Sequence, residues 1–296
     1  MAKKLPFTGS GVAIVTPFDG DKTNYDVLGE LIEMHIAKKT DAIIICGTTG
    51  EASTMPDSEH LAAIEYTVKK VNGRIPVIAG TGSNETAHAV SLSKQAEALG
   101  ADGLLQVTPY YNKTTQKGLI AHFGAVADAV SIPIILYNVP SRTGMNIAIP
   151  TLKELAKREN IVAIKEASGN ISYTAQVAAH VPELYIYSGN DDMIVPVMSL
   201  GGKGVISVVA NILPEETHNL CQNYLDGNAE AARKAQLELL DLINKLFIEV
   251  NPVPVKTALN LMGINAGNLR LPLTEMDPAN KEALKQAMIN AGIALA

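Results

Sequence analysis

Lys165 stands in Ile161-Val162-Ala163-Ile164-Lys165-Glu166, a β-branched run that reads as a strand buried on both faces. Removing an ammonium from water is costly, so burial there favours the neutral amine. A neutral lysine amine is the nucleophile that adds to a ketone to form a Schiff base. The plainer reading is a structural pair between Lys165 and Glu166. Adjacent strand residues point to opposite faces, which argues against that pairing.

Other residues of matching chemistry lie at the ends of similar apolar runs. Gly47-Thr48-Thr49-Gly50-Glu51 follows one of them and suits a small carboxylate, because glycines let backbone N–H groups approach an anion. A plain strand-to-helix turn would need the glycines but not the paired threonines. Tyr137 ends the run before that of Lys165, where a phenol can carry protons during formation and breakdown of a carbinolamine. Arg142, in Pro140-Ser141-Arg142-Thr143-Gly144, offers a planar fork for a substrate carboxylate. Tyr110-Tyr111 presents two aromatics pointing differently, one suited to a subunit contact. Gly201-Gly202-Lys203-Gly204 precedes a strand and reads as a turn rather than a phosphate cradle. These strand ends hold no grouping of His, Asp and Glu with metal-ligand character, so no metal is expected.

Eight such runs must position these groups: 11–15, 42–46, 76–79, 103–107, 132–137, 161–165, 184–187 and 204–208. Amphipathic stretches lie between them, such as Tyr25–Lys38 and Pro56–Val71, with Pro56 and Pro150 expected as first helical residues. Eight strand–helix rounds predict an α/β fold, a (β/α)8 TIM barrel, with the site at the C-terminal strand ends. An open doubly wound sheet is the alternative, but no glycine-rich dinucleotide fingerprint follows the first run. The strand signal stops after Val208, which predicts a catalytic barrel over 1–224 and a C-terminal helical appendage over 225–296.

The 296 residues are 47% hydrophobic, enough for a sizeable core. A net charge of −6 without a basic patch argues against nucleic acid and anionic membranes as partners. The apolar runs are only strand-length, too short to span a bilayer. Residues 1–9 lack the apolar stretch of a signal peptide, and Cys46 and Cys221 show no disulfide or metal spacing, so a cytoplasmic location is expected.

Gly47–Glu51, Tyr137–Gly144 and Ile164-Lys165-Glu166-Ala167-Ser168-Gly169 together resemble the dihydrodipicolinate synthase / N-acetylneuraminate lyase family of class I aldolases, in order and over essentially the whole chain. Thr48-Thr49, Tyr111 and Arg142 draw the resemblance toward the lyases that condense pyruvate with L-aspartate 4-semialdehyde to 4-hydroxy-tetrahydrodipicolinate, in lysine and diaminopimelate biosynthesis. Sialic acid lyases typically have serine at the place of Thr48, and sugar-acid aldolases usually lack the arginine. The resemblance implies that Lys165 binds pyruvate as an imine. It makes Thr48, Tyr137 and Tyr111 a proton relay, with Tyr111 supplied by the neighbouring subunit. Thr49 would hold the pyruvate carboxylate, Arg142 that of the aldehyde, and Gly189 and Ile206 would make backbone contacts near the imine. It implies no cofactor and a homotetramer built from two tight dimers.

Inhibited family members bind lysine at the tight-dimer interface, where Asn84, His60 and Tyr110 match. His88 replaces a glutamate, and Ala52 and Asp57 replace a serine and a histidine. Asp57 is expected to cap its helix rather than face that crevice. Weak or absent inhibition by lysine follows. Two other enzymes are alternative readings: a lyase of 2-keto-3-deoxy sugar acids, which would want a polyol site in place of Arg142, and a phosphate-ligand isomerase, which Asp191 and Asp192 after the seventh run would disfavour. A non-catalytic barrel leaves the buried lysine unexplained.

Overall fold

A computed structural model of the chain describes residues 3–296. Its barrel strands are β1 (Gly9–Ala13), β2 (Ala42–Ile45), β3 (Val77–Gly80), β4 (Gly103–Val107), β5 (Ile134–Asn138), β6 (Ile161–Glu166), β7 (Tyr185–Ser188) and β8 (Gly204–Ser207). All pair in parallel, and β1 closes the barrel by pairing with both β8 and β2. Each predicted run overlaps its strand to within two residues at either end. β1 is shifted, starting at Gly9, because Gly9 and Ser10 still pair with Gly204 and Val205, and ending at Ala13, while β5 begins at Ile134 rather than 132.

The alternating helices are α1 (Tyr25–Ala37), α2 (Asp57–Val71), α3 (Thr86–Ala98), α4 (Gln116–Ala129), α5 (Ile149–Leu155), α6 (Ile171–His180), α7 (Ile194–Ser199) and α8 (Pro214–Leu225). Their starts follow capping chemistry: the side chains of Asn24, Thr115 and Asn170 accept backbone N–H groups of α1, α4 and α6. Pro56 is the residue before α2, not its first, and Pro150 is the second residue of α5. Neither place costs a helical hydrogen bond, since the first N–H groups have no partner within a helix.

After α8 come α9 (Ala229–Glu238), α10 (Leu240–Lys245), α11 (Val253–Leu261) and α12 (Pro278–Asn290). One apolar core runs from the barrel strands through the surrounding helices into Leu246, Val255, Leu259 and Leu284 of this stretch. Inside the barrel Ile44, Ile78, Leu105, Ile135 and Ala163 form a second cluster. Phe7 stacks on Tyr187 there, ring centroids 4.4 Å apart, and the Tyr187 hydroxyl donates to the Phe7 carbonyl at 2.5 Å. The 201–204 segment is the turn into β8, held by Lys203 N donating to the Ile186 carbonyl at 2.8 Å. Among the described residues no helix is long and apolar enough to cross a membrane.

Candidate active site

Strand pairing brings the lysine and the tyrosine together: Tyr137 on β5 is in register with Lys165 on β6. The Lys165 Nζ lies 4.3 Å from the centre of the Tyr137 ring, and Lys165 is only 6% exposed. Burial pushes this amine down from 10.5 to about 8; Asp191 pulls it up, and Arg142 pushes it down further. Glu166 is not its partner. That carboxylate accepts from Asn138 Nδ2 and from Ser168 N, both at 2.7 Å.

Burial also raises the Tyr137 phenol, against the opposing influence of the Arg142 charge and the Thr48 hydroxyl, with Glu166 adding to the rise. A phenol held in its protonated form beside an amine that loses its proton near neutrality makes a usable acid–base pair. Asp191, whose charge acts on the lysine, is buried, and its Oδ2 accepts from Val208 N and Val209 N at 2.9 and 2.8 Å.

Lys165 and Tyr137 line a cavity of about 180 Å³ with Thr48, Thr49, Arg142, Gly189 and Asn251. That is small against the roughly 300–1,000 Å³ enclosing drug-sized ligands, so a small organic acid fits better than a nucleotide. Gly189 is required by crowding: a Cβ there would meet the Ala167 Cβ at 2.6 Å and the Lys165 Cε at 3.1 Å.

The Gly47–Glu51 segment is a tight turn, with Gly50 N bonded to the Gly47 carbonyl and Glu51 N to that of Thr48, both at 3.1 Å. Cys46 and Glu51, at φ 55° and 54°, bracket it in the left-handed region. Such a conformation costs a non-glycine residue about 1–2 kcal/mol, so surrounding contacts must hold it. Among the described residues neither the Thr48 nor the Thr49 amide donates to a protein acceptor. Both are available to an anion.

The cavity also draws on the C-terminal stretch, which sequence reasoning missed. Asn251 Nδ2 donates to Thr49 Oγ1 at 3.0 Å, and Arg142 Nη2 donates to the Asn251 carbonyl at 3.1 Å. Lys256, 1% exposed, donates to Glu51 Oε1 at 2.8 Å. The signal available for Lys256 was its place among Val253, Val255, Ala258 and Leu259, a lysine in an otherwise apolar helix. Asn251 carries no comparable local signal.

Two predicted residues do not line this cavity in the single chain. Tyr111 is 92% exposed at φ 68°, directed into solvent rather than into its own cavity. Ile206 is fully buried in a cluster with Tyr137 and Tyr187, and its side chain does not line the cavity. Arg142 is exposed at the mouth and Thr48 is exposed on the turn.

The family model for the dihydrodipicolinate synthetase family matches residues 6–291. A 4-hydroxy-tetrahydrodipicolinate synthase of Caldicellulosiruptor bescii is 62% identical over 290 residues, covering 98% of each chain. The crystal structure of dihydrodipicolinate synthase from Aquifex aeolicus is similar at a TM-score of 0.96 and 47% identity, over 98% of this chain and 99% of that one. The enzyme of Cyanidioschyzon merolae, solved with lysine bound, is similar at a TM-score of 0.95 and 41% identity, over 98% and 100% of the two chains. This chain belongs to the dihydrodipicolinate synthetase family.

Proposed function

We propose that the protein condenses pyruvate with L-aspartate 4-semialdehyde through an imine on Lys165, giving 4-hydroxy-tetrahydrodipicolinate. The observation that carries this reading is an amine brought down to about 8, set against a buried phenol and two unbonded amides in a cavity of small-acid size. The Lys165 amine adds to the pyruvate ketone, and the carbinolamine loses water to give the imine. Loss of a methyl proton leaves an enamine, whose carbon bonds to the aldehyde carbon. The amine of the second substrate then adds to the imine carbon, closes the ring and releases Lys165. Tyr137 and Thr48 pass the protons, joined by Tyr111 of the partner subunit. The Thr49 hydroxyl and the turn amides hold the pyruvate carboxylate. Arg142 receives that of the aldehyde, while Gly189 and Ile206 contribute main-chain contacts.

In this reading residues 1–224 form the catalytic barrel and 225–296 the helical appendage. The enzyme works in the cytoplasm as a homotetramer of two tight dimers, without cofactor or metal. Exposed Tyr111 supports a shared site, since a phenol left in solvent does nothing for its own chain. The test is borohydride reduction with pyruvate, followed by peptide mass mapping. A reduced adduct on Lys165 is expected; an adduct on another lysine, or none, overturns the mechanism.

A second cavity of about 460 Å³ adjoins the first and is lined by Asp57, His60, Ser83, His88 and Tyr110. Asp57 does not cap α2, contrary to the sequence expectation; its carboxylate meets His88 Nε2 at 3.0 and 3.2 Å, while His88 Nδ1 lies 3.0 Å from Ser83 Oγ. An incoming ammonium would have to displace that imidazole. Weak inhibition by lysine therefore stays part of the proposal, with a different reason behind it.

A further inference from the structure

We propose that Asn251 and Lys256, both in the C-terminal stretch, are positioning residues that shape the carboxylate-binding turn Gly47–Glu51 and so set the affinity for the 2-oxo acid. This rests on the imine-forming reading above and assigns part of its binding to a segment outside the barrel.

The turn is gripped at two points. At its middle, Thr49 Oγ1 accepts from Asn251 Nδ2 at 3.0 Å. A hydroxyl has one proton and two acceptor sites. With an acceptor site taken by the amide, the Thr49 proton is left to donate to a carboxylate in the cavity. Asn251 thus orients a donor rather than touching the anion itself. At its end, the left-handed Glu51 is held by its carboxylate: Oε1 accepts from Lys256 Nζ at 2.8 Å and Oε2 from Arg270 N at 3.2 Å. Lys256 is further tied to the Thr16 carbonyl at 3.0 Å and the Asn268 carbonyl at 2.6 Å. Thr16 Oγ1 in turn donates to the Gly50 carbonyl at 2.7 Å. The Lys256–Glu51 pair is nearly inaccessible to solvent, with side chains 1% and 0% exposed. A buried pair of this kind is weak evidence for stability, whereas it fixes geometry closely. Here the geometry fixed is that of the turn whose two amides and one hydroxyl belong to residues lining the cavity with Lys165.

The test compares three variants of the full chain by steady-state kinetics, with thermal midpoints recorded. Asn251→Ala keeps the main-chain acceptor for Arg142 and should raise the KM for pyruvate about tenfold, the loss expected for one charge-assisted hydrogen bond. The aldehyde KM should not change. Asn251→Asp should be worse than alanine, because a carboxylate there takes the Thr49 proton and repels the anion. Glu51→Gln combined with Lys256→Met removes both buried charges at similar volume and should also raise the pyruvate KM selectively. An unchanged pyruvate KM in Asn251→Ala, equal rises for both substrates, or aspartate no worse than alanine overturns the proposal. Wild-type trapping of pyruvate on Lys165 by borohydride tells the two failures apart: its absence sinks the imine reading, while normal trapping with unaffected variants sinks only this inference.

Discussion

The depressed amine of Lys165 has consequences for both rate and stability. Only the unprotonated form adds to a ketone. With the value lowered from 10.5 to about 8, roughly a quarter is unprotonated at pH 7.5, against about 0.1% for an ordinary lysine, a gain of about 240-fold. The rate of borohydride trapping at subsaturating pyruvate should therefore rise with pH and level off with a midpoint near 8. The stability effect has the opposite sign. Below pH 8 both folded and unfolded states are protonated, and the folded state carries the full burial penalty, about 3 kcal/mol for a lowering of this size. Between about 8 and 10.5 the folded state has released its proton and the unfolded state has not, so the penalty fades and stability rises with pH. Lys165→Met should remove the penalty along with activity. Because Asp191 would lose its facing charge, the comparison is cleanest in an Asp191→Asn background. Urea unfolding at pH 7 should then show a gain of at least about 3 kcal/mol for the methionine variant, since removing the Asp191 charge lowers the lysine amine further, with the gain shrinking toward pH 10. A trapping rate still climbing at pH 10, or a methionine variant no more stable at pH 7, refutes the argument.

Arg142→Ala should still trap pyruvate but raise the aldehyde KM at least tenfold, the about 1.5–3 kcal/mol of a charge-assisted bond, because this guanidinium sits at the exposed mouth. Equal loss of trapping and turnover would remove it from the aldehyde side. Mixing inactive Lys165→Ala and Tyr111→Phe subunits should restore activity once dimers exchange, since each mixed dimer holds one intact site. No rescue after verified exchange places Tyr111 in its own subunit. Millimolar lysine should leave the initial rate at subsaturating pyruvate unchanged; strong inhibition below a millimolar would mean that an ammonium displaces His88 from Asp57.

By itself the sequence determined the strand-and-helix rhythm, because burial on both faces or along one stripe leaves a local periodic trace. It also marked Lys165 and Tyr137, since a polar side chain closing an apolar run stands out against its neighbours. Their pairing needed only the expectation that consecutive strands lie side by side, and the β5–β6 register bears it out. What it did not reveal were contacts closed by distant segments. Asn251 meets Thr49 from 202 positions away, and Lys256 meets Glu51 from 205. Nothing in the periodicity of α11 says which loop its lysine will find. Asp57 shows the same limit at short range: a first-turn acid reads as a cap, and only the packing of α2 beside α3 brings His88 within reach of it. Local pattern reports which side chains leave water; the tertiary structure alone decides what they meet there.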